Sequence, residues 1–229
     1  MQSFLQAEYK DYKIKMKADK LCYWFEDYMK FLEYEKEFKP KSVKRYKRGE
    51  IIKAHLGYNI GSEEGGLHYC VVLDKNNSVN SPVITVVPLT SVKENTDIEN
   101  LHLTEVYLED ELYVKLSSKI SNYSEKIDAE HRSLDKEITV LLKEEQLNVE
   151  KINELRGRLD NLLIESNLVN RMKNEIKNMK KGSIILVNQI TTISKIRIYD
   201  PKRNDDVLSK IRLSKEKQSP MKMYILFCN

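Results

Sequence analysis

Few side chains in this sequence are suited to chemistry: four histidines (His55, His68, His102, His131) and three cysteines (Cys22, Cys70, Cys228). His68 and Cys70 alternate, so a strand would point both to one face, where an imidazole and a thiolate can ligate zinc. No third ligand accompanies them, and no C-x-x-C pair occurs. The cysteines are an odd, scattered set, which suggests neither a disulfide framework nor a zinc site. His55, His102 and His131 default to surface or packing roles. The run Gly61-Ser62-Glu63-Glu64-Gly65-Gly66 is glycine-rich, but it lacks the following lysine and helix of a phosphate-cradling P-loop or dinucleotide turn. Glu63 and Glu64 are candidate substrate contacts, although a solvated loop carboxylate is the commoner case.

Four zones must position these residues. From roughly 17 to 38, Leu21, Trp24, Phe25, Tyr28 and Leu32 keep the spacing of one helical face, and Lys39-Pro40-Lys41 ends the helix. The density of aromatics there would suit base stacking, but such a stripe is more often core. From 49 to 91 the period changes. GEIIKAHL, HYCVVL and PVITVVPL are rich in β-branched and aromatic residues and are separated by turn-type stretches, which predicts a compact antiparallel β unit. Between 108 and 181 there is no proline and one glycine, Gly157. A seven-residue step meets Ile120, Ile127, Leu134, Leu141, Asn148, Leu155, Leu162, Val169 and Ile176, a heptad with Asn148 as its polar interruption. One straight helix would carry its end far from the next strands, so the spacing predicts an antiparallel helical hairpin turning between Gln146 and Gly157. From 182 to 198 a strand is predicted, then a charged turn, a strand near Leu208 to Leu213, and a capped helix start at Ser214 that Pro220 should keep short. The apolar end, Tyr224 to Phe227, must then pack as a strand or be covered.

The chain has 229 residues, 41% apolar and 32% charged, with formal net charge +4. That composition excludes collagen-like, low-complexity and wholly disordered chains. Residues 1 to 48 carry 13 basic and 8 acidic side chains, 49 to 182 carry 17 and 23, and 183 to 229 carry 9 and 4. The basic flanks would present a positive face to a polyanion if they met in space. Charges interrupt MQSFLQAEYKDYKIK, and no apolar run approaches the roughly 20 residues of a membrane span, so a cytoplasmic protein with no membrane association is expected.

The segment Arg48 to Ser91 resembles the MazF/PemK family of bacterial toxins. Arg48-Gly49-Glu50, Gly61-Ser62-Glu63, Gly65-Gly66 and Pro88-Leu89-Thr90-Ser91 carry the likeness. A second block, Ser183 to Arg197, resembles the family's next strand through Gln189, Ile190, Thr192, Ile193, Lys195 and Arg197. The two blocks cover roughly 75 residues, in the family's order.

The resemblance implies a small SH3-like antiparallel barrel; joined to the zones read above it gives an α+β fold in which 48–107 and 182–229 form the barrel, while the coiled-coil hairpin at 108–181 that interrupts it and the helical extension at 1–47 that precedes it lie outside the usual family domain. It also implies a homodimer held in check by a cognate antitoxin, and a metal-independent, cofactor-free endoribonuclease of single-stranded RNA. In the family's reaction the ribose 2′-OH attacks the adjacent phosphorus, leaving a cyclic phosphate and a free 5′-OH. This requires proton transfer and donors for the charged phosphoryl oxygens.

The departures fall at the chemistry. The family's catalytic arginine, in a Gly-x-Arg-Pro motif, is replaced by His68, which exchanges a proton where a guanidinium clamps phosphate. The family's acid before the glutamine aligns with Asn188, and another family arginine with Thr191. On the catalytic reading His68 transfers the proton and Thr90 and Ser91 hold the phosphoryl oxygens, with Arg48, Ser62, Glu63, Gln189 and Lys195 beside the RNA. On the alternative, the barrel is a degenerate RNA- or protein-binding module that assembles through its coiled coil.

Overall fold

The computed structural model describes residues 12–143 and 148–219. Helix α1 spans Tyr12–Glu35, α2 Glu111–Leu141 and α3 Val149–Asn178. The strands among the described residues are β1 (Ile51–His55), β2 (Leu67–Val72), β3 (Val83–Ser91), β4 (Glu105–Tyr107), β5 (Ser183–Leu186), β6 (Thr191–Ser194) and β7 (Ile198–Asp200). They pair antiparallel in the order β4-β5-β3-β2-β1-β7, with β6 on β3, in an open sheet. The chain is thus a mixed helical and antiparallel protein of the α+β class.

Alternation along the strands builds two cores. Ile51, Val71, Val87 and Leu89 face one side, with Leu112, Leu116, Leu168 and Met172 from the helices. Ile52, Ala54, Cys70, Val72, Ile84 and Val86 face the other, against Val43, Tyr46, Ile193 and Ile198. A side-chain period of two makes both assignments at once.

The predicted strand at 182–198 is broken. β5 pairs with Leu89–Ser91 and β6 with Val83–Val86, so the two halves of β3 recruit different partners along one edge. The intervening 3₁₀ turn, Val187–Gln189, steps the chain between them. The strand expected at Leu208–Leu213 reduces to one bridge, Glu50 to Arg212. A helical turn follows at 215–219, while the expectations for Pro220, Tyr224 to Phe227 and Cys228 lie outside the described residues.

Helices α2 and α3 form an antiparallel pair whose turn comes earlier than the heptad suggested. The first helix ends at Leu141, and Gly157 lies inside the second. Asn148 is not a buried register residue. It is the N-cap of α3, its side chain accepting from the Lys151 amide at 3.1 Å, the role its type fills best. The tip is closed by Leu134, Leu141 and Leu155 and by Arg158, which bonds Glu130 and Glu137 at 2.7 Å each. The base is anchored to the sheet. Glu175 accepts from Lys53 Nζ at 2.6 Å and from the Tyr69 hydroxyl. Lys119 Nζ donates to the carbonyls of Asp206, Val207 and Ser209 at 3.1, 2.8 and 2.9 Å.

Helix α1 docks through Leu21 and Trp24 of the face its spacing suggests, continued by Asp27 and Phe31 in place of Phe25, Tyr28 and Leu32. Trp24 stacks on His55 at 4.6 Å with Phe31 against the same imidazole at 6.1 Å, while Asp27 Oδ2 lies 3.7 Å from His55 Nε2. Arg197 sits over the Trp24 ring at 5.4 Å. Phe25, Tyr28 and Leu32, from the predicted face, are exposed. His55 therefore has a packing role, and burial holds its imidazole below the usual range.

Buried titratable groups set the alkaline response. Burial lowers Lys119 to about 8, so the cost of burying its charge is relieved as pH rises from there to its unfolded value. Burial pushes the Cys70 thiol up to about 12, and raises the Tyr46 and Tyr69 hydroxyls as well. Those three deprotonate first in the unfolded chain, so each erodes stability above its unfolded value, at about 1.4 kcal/mol per pH unit. Denaturation midpoints measured from pH 8 to 11 should rise to about pH 9, where only Lys119 titrates, level off to about pH 10 as the Cys70 effect opposes it, then fall. A continued rise beyond pH 10 contradicts the assignment.

Candidate functional site

The loop joining β1 to β2 is pinned at its neck, where Leu56 N donates to Gly66 O at 2.8 Å and Gly66 N to Gly57 O at 2.7 Å. A Cβ at Gly65 would stand 2.9 Å from the Gly57 carbonyl, so the two arms meet only with glycine there. Gln189 clamps the loop from outside, its Oε1 accepting from Glu64 N at 2.7 Å and its Nε2 donating to Ser62 O at 3.2 Å. Glu63 folds back on the loop, accepting from Ile60 N at 3.3 Å, so the carboxylate that reaches the strand is Glu64.

That carboxylate meets His68. Glu64 Oε2 lies 3.2 Å from His68 Nε2, and His68 Nδ1 lies 3.3 Å from the Leu89 carbonyl. Both neighbours are acceptors, so a ring carrying two protons satisfies both and a neutral ring one. The β2–β3 register pairs Cys70 with Pro88; continued two residues, it sets His68 opposite Thr90. Alternation puts both on the sheet face away from the helical pair, and they line one cleft of about 270 Å³ with Ser91, Lys93 and Lys180. Thr90, Ser91 and Lys93 also line an adjoining cleft of about 480 Å³, with Ser62, Glu64, Asn188, Gln189 and His102. His102 Nδ1 is bonded to Thr104 Oγ1 at 2.7 Å, so this histidine, read from sequence as scattered, borders the same floor.

His68, Thr90, Ser91, Ser62 and Gln189 thus converge. Arg48 and Lys195 do not. Arg48 Nε donates to the Leu73 carbonyl at 2.6 Å, at the far end of β1 and β2 from His68. Lys195 is fully buried, donates to the Ser78 carbonyl at 2.9 Å and lies 5.9 Å from the Tyr46 ring; burial lowers its amine. Both basic residues of the motif serve the frame. The cations at the cleft are Lys93, two residues beyond Ser91, and Lys180, two residues before Gly182, whose carbonyl accepts from Val92 N at 3.2 Å. Neither was singled out by type, but both lie beside the paired ends Ser91 and Ser183, which is the signal that finds them.

Among the described residues no group of three or more His, Cys, Asp or Glu side chains is placed to hold a metal, and no helix is long and apolar enough to cross a membrane. The architecture defines an α+β protein with a polar, lysine-rimmed cleft at the strand ends. The chain belongs to the PemK-like, MazF-like toxins of type II toxin-antitoxin systems: the family's model matches residues 47–163, from the bridge before β1 into the second helix of the pair. A search of curated proteins finds no match.

Proposed function

We propose that this toxin-family chain is an endoribonuclease that cleaves single-stranded RNA at the His68–Thr90 cleft, leaving a cyclic phosphate. The observation that carries the reading is the cross-strand placement of a carboxylate-paired imidazole beside a threonine hydroxyl under two lysines. As the 2′-oxygen bonds to phosphorus, His68 takes its proton on Nε2, which exchanges its Glu64 contact for the substrate. The imidazolium, with the Glu64 carboxylate alongside and Nδ1 held by the Leu89 carbonyl, passes that proton to O5′ as the P–O5′ bond breaks, so the net proton count is unchanged. Thr90 and Ser91 donate to the phosphoryl oxygens, and Lys93 and Lys180 offset their charge. Ser62 and Gln189 shape the cleft wall.

The family likeness further supports an SH3-like barrel built from 48–107 and 182–229, a homodimer, a cognate antitoxin and a cytoplasmic setting, and the heptad spacing supports a coiled-coil insertion at 108–181. These belong to the same proposal. The test is a cleavage assay on mixed-sequence RNA in EDTA, with products resolved for cyclic phosphate. Thr90→Val keeps the shape and removes the donor; it should lower kcat by about 10²–10³, the usual cost of one such donor. Equal rates for Thr90→Val and wild type would remove Thr90 from the mechanism. RNA bound but left intact by the wild type would instead favour the binding-module reading, consistent with both His68 nitrogens facing protein acceptors.

A further inference from the structure

The groove between α1 and the Gly57–Gly66 loop encloses about 1020 Å³, at the upper end for small-molecule pockets, and suits an extended ligand better than a compact one. At one end it opens onto His68 and Glu64. Lys17, Lys20 and Tyr23 recur every three residues along its helical wall, and Tyr58 and Asn59 stand on the loop wall. Tyr23 is 69% exposed. Trp24 also lines the groove; its stacking on His55 and the nearby Arg197 guanidinium fix the helix and so the position of its neighbour Tyr23. The groove's carboxylates are engaged, Glu63 by the Ile60 amide and Glu64 by His68.

We propose that this groove binds the nucleotides flanking the scissile phosphate of single-stranded RNA, with bases stacked on Tyr23 and Tyr58 and backbone phosphates beside Lys17 and Lys20. Rings that present π-faces beside a row of cations are the sequence-tolerant way of holding a single strand. The groove is continuous with the His68 cleft, which gives the strand one path past both; a protein occupant would have no reason to meet that cleft. The helical wall precedes the residues matched by the family's model, so this is a substrate contact supplied by the chain's own extension. The proposal rests on the RNA-cleaving reading of the cleft, and the experiment separates the two.

The probe is a fluorescein-labelled, mixed-sequence, single-stranded RNA of about twelve nucleotides, 2′-O-methylated throughout so that no attacking hydroxyl remains, titrated by anisotropy against the full chain at several salt concentrations. Tyr23→Ala should weaken binding by about 5- to 100-fold, the range for loss of one stacked base, and Tyr23→Phe should restore it. Lys20→Ala should reduce the slope of log K against log salt by about 0.7, one phosphate's worth on a single strand. Phe25→Ala, outside the groove, should bind as wild type. Wild-type affinity in both Tyr23→Ala and Lys20→Ala, with cleavage intact in the parent, overturns the groove and leaves the nuclease standing. Tyr23-dependent binding with no cleavage of unmodified RNA upholds the groove and sinks the nuclease. Absence of RNA binding, with a protein ligand whose affinity falls in Tyr23→Ala, overturns the proposal in favour of a docking surface.

Discussion

His68→Ala should lower kcat/KM for RNA cleavage by about 10²–10⁴, the range that a positioned proton-transfer group supplies. The side chain is only half-buried and donates at most one strand-edge hydrogen bond, to Leu89 O, so its loss leaves the β2–β3 pairing intact. Far-UV circular dichroism and the denaturation midpoint should therefore match wild type while turnover collapses. Glu64→Gln, which keeps the loop contact but withdraws the charge that stabilises the imidazolium, should lose less. His68→Arg restores the residue type of the family motif at that position, and a partial recovery would show that phosphate neutralisation can substitute for proton transfer here. A His68→Ala enzyme within threefold of wild type would end the mechanism, whatever the resemblance of the surrounding motif.

Leu116→Ala should destabilise the chain by about 2–5 kcal/mol, as truncation of a fully buried leucine does. In a chain of this size each kcal/mol moves Tm by about 2–4 °C, so the melting point should drop by roughly 5–20 °C. The reason lies in the cluster to which Leu116 belongs: although it is in α2, it shares one buried core with Ile51, Val71, Leu89 and Ile185 of the sheet and with Met172 of α3. The base of the helical pair is thus half of the larger core. Leu163, 62% exposed nearer the tip, should tolerate the same change within about 0.5 kcal/mol. Equal effects at the two positions, read by calorimetry, would show that the helices are an appended arm. On the present geometry, deleting 108–181 removes core as well as arm and should abolish folding, so a truncation that probes the tip must keep the residues about Leu116 and Met172.

How much of this was legible beforehand depended on whether the residue type or its partner decided the outcome. Strands β1 to β3 were readable because their side-chain alternation is local. The loop glycines were readable for the same reason. The break in 182–198 was not, because it arises from β5 and β6 pairing with different halves of β3, a property of the partner strand. Trp24 was rightly placed on a helix, but the stripe that docks depends on His55, whose position no helical period encodes. Lys195 shows the limit of motif transfer most plainly. Its type suggested an anion, yet its backbone is fixed on a core-facing turn and its amine is held by a carbonyl. Arg48 does not reach the cleft either: it precedes β1 and so lies at the end of the β1–β2 hairpin away from the loop that carries Glu64. Glu64 and His68 are four residues apart in a turn, a separation with no fixed meaning until the loop neck closes.

The two feet of the helical pair are hydrogen-bonded to each other, Leu108 N to Ser183 O at 2.8 Å and Ser183 N to Glu109 O at 3.0 Å. Joining those strand ends through an unstructured stretch of about 70 residues would carry a closure entropy of roughly 4 kcal/mol beyond a constant term. Helices that zip by neighbour contacts replace that one long search by many short ones. The helical pair thereby keeps the path between those ends short, setting β5 between β4 and β3, and with β5 comes the glutamine that shuts the loop over His68.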